Sequence, residues 1–142
     1  MQKMWKRTQK FIRIIVDNDC HMKANEFRVG NWVRYCDNNY QIEQIIKRND
    51  KYALIFENLY HGVWIDEVEP IVLTEDILLK CKPGYSVHVV GELDVMPYHN
   101  GDGTLNLKLG TLGHTYPYEI KYLHHWQNFY YVMEGKELEV QL

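Results

Sequence analysis

The stretch YLHHWQNFYYVMEGKELEV, residues 122–140, carries the side chains best suited to chemistry: the adjacent His124 and His125, set among five aromatic rings. Imidazoles ligate metals or move protons, and aromatic faces stack bases. A helical metal pair, however, needs a spacing of three or four residues, whereas neighbours on a helix diverge by about 100°. His124 and His125 therefore cannot hold one ion together without a third element. His124, Gln127 or Asn128, and Tyr131 share a polar face that either presents donors to a ligand or meets solvent and a neighbouring sheet. We read the segment as mainly structural.

Other candidates are weaker. His99, Asn100 and Asp102 in YHNGDGT bring an imidazole near a carboxylate, but Asn-Gly and Asp-Gly are turn formers, and no downstream acidic ligand completes a calcium loop. Cys36, Cys81 and Ser86 sit in no strand-turn-helix elbow, and the chain has neither a dinucleotide fingerprint nor a phosphate loop. The reading is non-enzymatic: no catalytic residue, no metal site and no cofactor is expected. Cys20, Cys36 and Cys81 are odd in number and far apart, which fits a reducing compartment. No run approaches about eighteen apolar residues, so no membrane span is expected and the location read is cytoplasmic.

Charge is unevenly distributed. Residues 1–23 hold six Lys/Arg against Asp17 and Asp19, whereas residues 24–142 hold ten basic and seventeen acidic side chains. The body is thus a poor binder of phosphate backbones, and nucleic acid is expected to engage only a basic arm, residues 1–21. Because Met22 opens MKANEFRVGNWV, that arm is read as an extension. Its apolar spacing fits an amphipathic helix or a strand equally.

From Asn25 the pattern is β. Runs of five to eight residues are separated by Gly30-Asn31, Asp37-Asn38-Asn39, Asn49-Asp50 and His61-Gly62, which implies a small, strongly bent barrel over 22–73. Thr74 is expected to cap a short linking helix over 74–84, stopped by Pro83-Gly84. In 85–142, strands over Ser86–Val95 and Thr104–Leu109 join through the Asn100–Gly103 loop, with Leu105, Leu107 and Leu109 facing inward. Leu123, Trp126, Tyr130 and Met133 mark an amphipathic helix ended by a left-handed Gly135, and Glu137–Leu142 alternates as a closing strand. The fold class expected is a β-rich α+β protein: a Src-homology-three-like small barrel, then a β-hairpin sheet packed by a C-terminal helix.

Eleven tyrosines and four tryptophans are a heavy aromatic load. Tyr35, Tyr40, Tyr52, Tyr60 and Trp64 either line a groove or fill the barrel, and Tyr60, His61 and Trp64 rank first as surface candidates. Arg28, Arg34, Lys47 and Arg48 are the candidates for holding an anionic group, in a pocket between protomers if the chain is a homo-oligomer.

MKANEFRVGNWVRY, EPIVLTEDILLK and KYLHHWQNFYYVMEGKELEV together resemble a group of small proteins carried by phages, prophages and mobile elements of anaerobic gut bacteria. Their shared patterns are an N-E-[LF]-R-[IV]-G-N start, a P-I-x-L-T linker and a Y-[LV]-H-x-x-Q-N helix, matched over residues 22–140. The resemblance carries no catalytic residues. It implies an accessory protein in a bacterial host cell that acts by binding a host or defence protein or a small ligand. A sponge for a signalling nucleotide is the alternative, and nucleic-acid binding through the arm is a further one.

Overall fold

A computed structural model describes residues 26–82, 89–91, 93–111 and 114–142. The basic arm, residues 1–21, and the Pro83-Gly84 stop lie outside the described residues. Two-residue turns set the first sheet. Cys36 and Asp37, and again Asn49 and Asp50, all take positive φ, the paired left-handed turn whose twist matches the strands it joins. They connect β1 (Trp32–Tyr35), β2 (Asn38–Arg48) and β3 (Lys51–Phe56), and β4 (Val63–Trp64) adds an edge; all neighbours are antiparallel in the order β1-β2-β3-β4.

The β2–β3 register slips between Ile42 and Gln44, and such a bulge bends a strand. The sheet curls into a half-barrel over Phe27, Val33, Ile42, Leu54, Phe56, Val63 and Val68. Tyr35 and Tyr40 are packed against this core, Tyr40 stacking on Phe56 at 5.1 Å, so they fill rather than line a groove. After a 3-10 turn at Ile65–Glu67, Glu69 exchanges two backbone hydrogen bonds with Arg34, at 2.8 and 2.9 Å.

Thr74 caps the short helix Glu75–Leu79, its Oγ1 accepting from the Ile77 N–H at 3.2 Å; the helix is shorter than the 74–84 expected, because Cys81 and Lys82 leave it to pair as a strand before Pro83 is reached. The chain then runs through β5 (Cys81–Lys82), β6 (Val89–Val90), β7 (Leu93–His99), β8 (Leu105–Thr111), β9 (His114–Ile120), the C-terminal helix (Leu123–Glu134) and β10 (Glu139–Val140). β6-β7-β8-β9 form the second sheet, and β10 pairs with β5. Leu105, Leu107 and Leu109 are buried as their alternation requires. β9 goes beyond the sequence reading: it contains Pro117, which an edge strand accommodates because its outer N–H positions need no partner.

The helix and this sheet enclose a second core that includes Leu73, Leu78, Leu109, Ile120, Trp126 and Phe129. Gly135 ends the helix at φ 73°, its N–H bonded to the Tyr131 carbonyl at 2.9 Å. The result is a β-rich α+β protein. Among the described residues, no helix is long and apolar enough to cross a membrane.

Candidate functional site

Eight consecutive residues, Leu123 to Tyr130, are buried, so the helix is enclosed on all sides for two turns. An amphipathic helix with one wet face, the reading from spacing, is therefore only part of the pattern. Leu123, Trp126, Phe129 and Tyr130 join the second core. His124, His125, Gln127 and Asn128 meet the segment 26–32 instead, and the amides of Gln127 and Asn128 are paired with its backbone groups, which need partners once water is excluded.

Gln127 accepts the Trp32 N–H at 2.8 Å and donates to the Gly30 carbonyl at 2.9 Å. Asn128 Oδ1 accepts from Asn31 Nδ2 at 2.8 Å and Arg28 Nε at 3.1 Å, while its Nδ2 donates to the Glu26 carbonyl at 2.7 Å. The Arg28 guanidinium also grips both carboxylate oxygens of Glu137 and lies 4.1 Å from the centre of the Tyr131 ring. Arg28, expected to await an external anion, is committed within the fold.

One turn nearer the helix start, the two imidazoles converge. His125 Nε2 lies 3.3 Å and His124 Nε2 3.5 Å from the same oxygen, Glu26 Oε2. The third element that adjacent histidines require is thus Glu26, about which the sequence reading was silent; one donor atom from each of the three residues lies within 4.8 Å of the others. The ring centres are 4.2 Å apart with their planes at 53°. Phe27 stacks on His124 at 5.0 Å, and Tyr122 stands edge-on to His125 at 5.6 Å. Exposure is 0% for His124, 1% for His125 and 5% for Glu26.

Burial pushes His124 down to about 4, overcoming the opposing pull of the Glu26 carboxylate. For Glu26, burial acts to raise the carboxyl, but the two imidazoles converging on it hold it at about 2. The helix N-terminus works the same way, favouring an anion and opposing an imidazolium. At neutral pH the cluster holds a carboxylate and an uncharged His124. Nδ1 and Nε2 of His124 and Nδ1 of His125 have no hydrogen-bond partner among the described residues.

The remaining candidates lie elsewhere. Tyr60, at 107% exposure, and His61 occupy the β3–β4 loop, and Trp64 is 38% exposed on β4. Arg34 lies on β1 with Asp37 3.4 Å away. Lys47 and Arg48 end β2, next to Lys51 and Tyr52. The His99–Asp102 loop is a turn: Asp102 Oδ1 accepts from the Thr104 N–H at 2.9 Å and its hydroxyl at 2.5 Å. Glu26, Arg28, Gly30, Asn31, His124, Gln127 and Asn128, from two short stretches about a hundred residues apart, meet in this one contact. No protein-family model matches the chain, and no curated protein or solved structure is significantly similar to it.

Proposed function

We propose that the chain is a non-enzymatic binding protein that captures an acidic surface of a host or defence protein through the basic, aromatic end of its first sheet. The observation that carries this reading is the pairing of cations with rings: Lys47 Nζ lies 5.8 Å from the Tyr52 ring centre and Lys51 Nζ 5.7 Å from that of Trp64. Arg48 is opposite Lys51 in the register. Among the described residues, none of these three cations has an ion-pair partner, although the body is acidic as a whole.

Arg48, Lys51 and Trp64 share the outward face with half-buried Ile46, Ala53 and Ile55, set by the pairings Ile46↔Ala53, Gln44↔Ile55 and Ala53↔Trp64, while Lys47 and Tyr52 stand on the Leu54 side at the tip of the same hairpin. An apolar centre with rigid rings and a charged rim is the composition of an interface hot spot, and positive charge against an acidic partner speeds encounter. Fully exposed Tyr60 lies in the β3–β4 loop, at the other end of β3 from Lys51. The finer architecture belonging to this reading is the Src-homology-three-like barrel, supported by the tight hairpins, the bulge, the 3-10 turn and the Glu69–Arg34 bridge. The setting is that of the resemblance: a phage or mobile-element accessory protein in the cytoplasm of its bacterial host, assembled as an oligomer.

Affinity capture from host lysate tests it. Wild type is expected to retain a protein that is lost from Trp64→Ala and from Lys47→Glu/Lys51→Glu, with retention weakening steeply as salt rises. Equal capture by the variants removes the assignment. A nucleotide retained in native mass spectrometry replaces it with the sponge reading.

A further inference from the structure

We propose that Glu26, His124 and His125 form a binding site for one divalent transition-metal ion of the zinc class, which staples the start of the C-terminal helix to the segment 26–32. Three observations converge. The first is spacing. Charge-assisted N–H···O contacts are about 2.7–2.9 Å long, and both Nε2–Oε2 separations, 3.3 and 3.5 Å, exceed that. The His125 contact is a long hydrogen bond, and both separations are close to the edge, about 3.3 Å, of a tetrahedron around an ion with bonds of about 2.0–2.1 Å.

The second is the state of the donors. A buried imidazole ordinarily has a partner for each ring nitrogen, yet His124 has neither paired among the described residues and His125 leaves Nδ1 unpaired. An ion at the focus of the two Nε2 atoms and Glu26 Oε2 gives His124 the bond that its surroundings deny it. Both imidazoles aim at one carboxylate oxygen from consecutive helix positions, an arrangement that splays the rings apart unless something holds them to a common point.

The third is chemistry. Two imidazole nitrogens and one carboxylate oxygen suit zinc-class ions and not magnesium or calcium, which take oxygen shells. Three protein donors leave a tetrahedral position for water or hydroxide. Because a helix N-terminus disfavours a cation, the Glu26 charge is essential, and a neutral amide there does not substitute. The enclosed position, with Phe27 and Tyr122 against the rings, makes the role structural: the ion joins residues about a hundred positions apart, reinforcing the Gln127 and Asn128 contacts one turn along. The inference is independent of the capture surface, which lies on the first sheet.

The test is metal loading of the full chain after chelation. Wild type is expected to take up one Zn²⁺ per chain, and Zn²⁺ is expected to raise its thermal midpoint by several degrees, because ligand bound only to the folded state stabilises it. Co²⁺ in its place should give the visible bands of a nitrogen- and oxygen-ligated ion without thiolate charge transfer. Glu26→Gln and His125→Gln are expected to lose uptake at least a hundredfold. Uptake surviving in either variant, a thiolate band, or a wild-type midpoint indifferent to Zn²⁺ overturns the proposal. The wild-type midpoint and cobalt spectrum decide the matter even where a variant fails to fold.

Discussion

Asn31 and Asn128, 97 residues apart, are joined amide to amide, Asn31 Nδ2 donating to Asn128 Oδ1 at 2.8 Å. The same Asn128 side chain serves Arg28 Nε and the Glu26 carbonyl, so one residue satisfies three groups across the junction of helix and first sheet. Replacing it with leucine keeps the branched shape and orphans all three. Because a buried polar group left unpaired costs about 1–3 kcal/mol, Asn128→Leu is expected to lose about 3 kcal/mol in urea unfolding. A loss below about 0.5 kcal/mol would mean that water replaces the amide at no cost.

Acid should weaken the chelated protein in a defined window. The folded state holds His124 at about 4 against an ordinary 6.5, so between those values the unfolded chain binds the extra proton. The contribution of the neutral ring is complete above pH 6.5 and declines as pH falls towards 4. Glu26, held at about 2 against 4.5, extends the decline below 4.5. With EDTA present, stability is expected to fall by on the order of 2–3 kcal/mol from pH 7 to 4, and His124→Gln should flatten the upper part of that profile. A flat wild-type profile over the same range contradicts the buried, uncharged ring.

The described cysteines should differ sharply in reactivity. Cys36 is exposed in the β1–β2 turn; Cys81 is buried, its thiol pushed up to about 12 by burial and its Sγ donating to the Ile77 carbonyl at 3.3 Å. Since the thiolate is the nucleophile, iodoacetamide at pH 8 is expected to modify Cys36 and spare Cys81 until the chain unfolds. Peptide mapping reads the result, and equal labelling of the two under native conditions contradicts the packing around β5.

Gly110 lies where the β8–β9 register slips, and a Cβ there would stand 2.5 Å from the His114 carbonyl oxygen. Backbone cannot swing away as a side-chain tip can. Gly110→Ala is therefore expected to cost about 2 kcal/mol and to raise amide exchange in β9 before β7. Gly103→Ala meets no atom but carries a φ of +92°, so its cost is conformational and confined to the turn.

Local rules made much of the fold legible. The turn at 49–50, the Thr74 cap, the inward leucines of β8 and the left-handed Gly135 each depend on a few neighbouring residues, and each is where the residue types put it; the first turn instead falls at Cys36-Asp37, so that Asn38 and Asn39, expected in the turn, open β2. β9 escaped because Pro117 argues against a strand until the sheet order makes that strand an edge. The helix boundaries were legible, but its polar stripe was not: spacing says that His124, Gln127 and Asn128 share a side, and says nothing of what covers it.

Taken alone, the amino-acid order determined the elements, because helix caps, tight turns and alternation are satisfied within a turn or a pleat. Tertiary structure alone decided which polar groups are buried together. Glu26 reaches His124 and His125, and Asn31 reaches Asn128, only where the parts of the chain that carry the two cores meet. No periodicity records a partner a hundred residues away; once the rings and amides leave water, their pairing is dictated by the unbonded groups that face them.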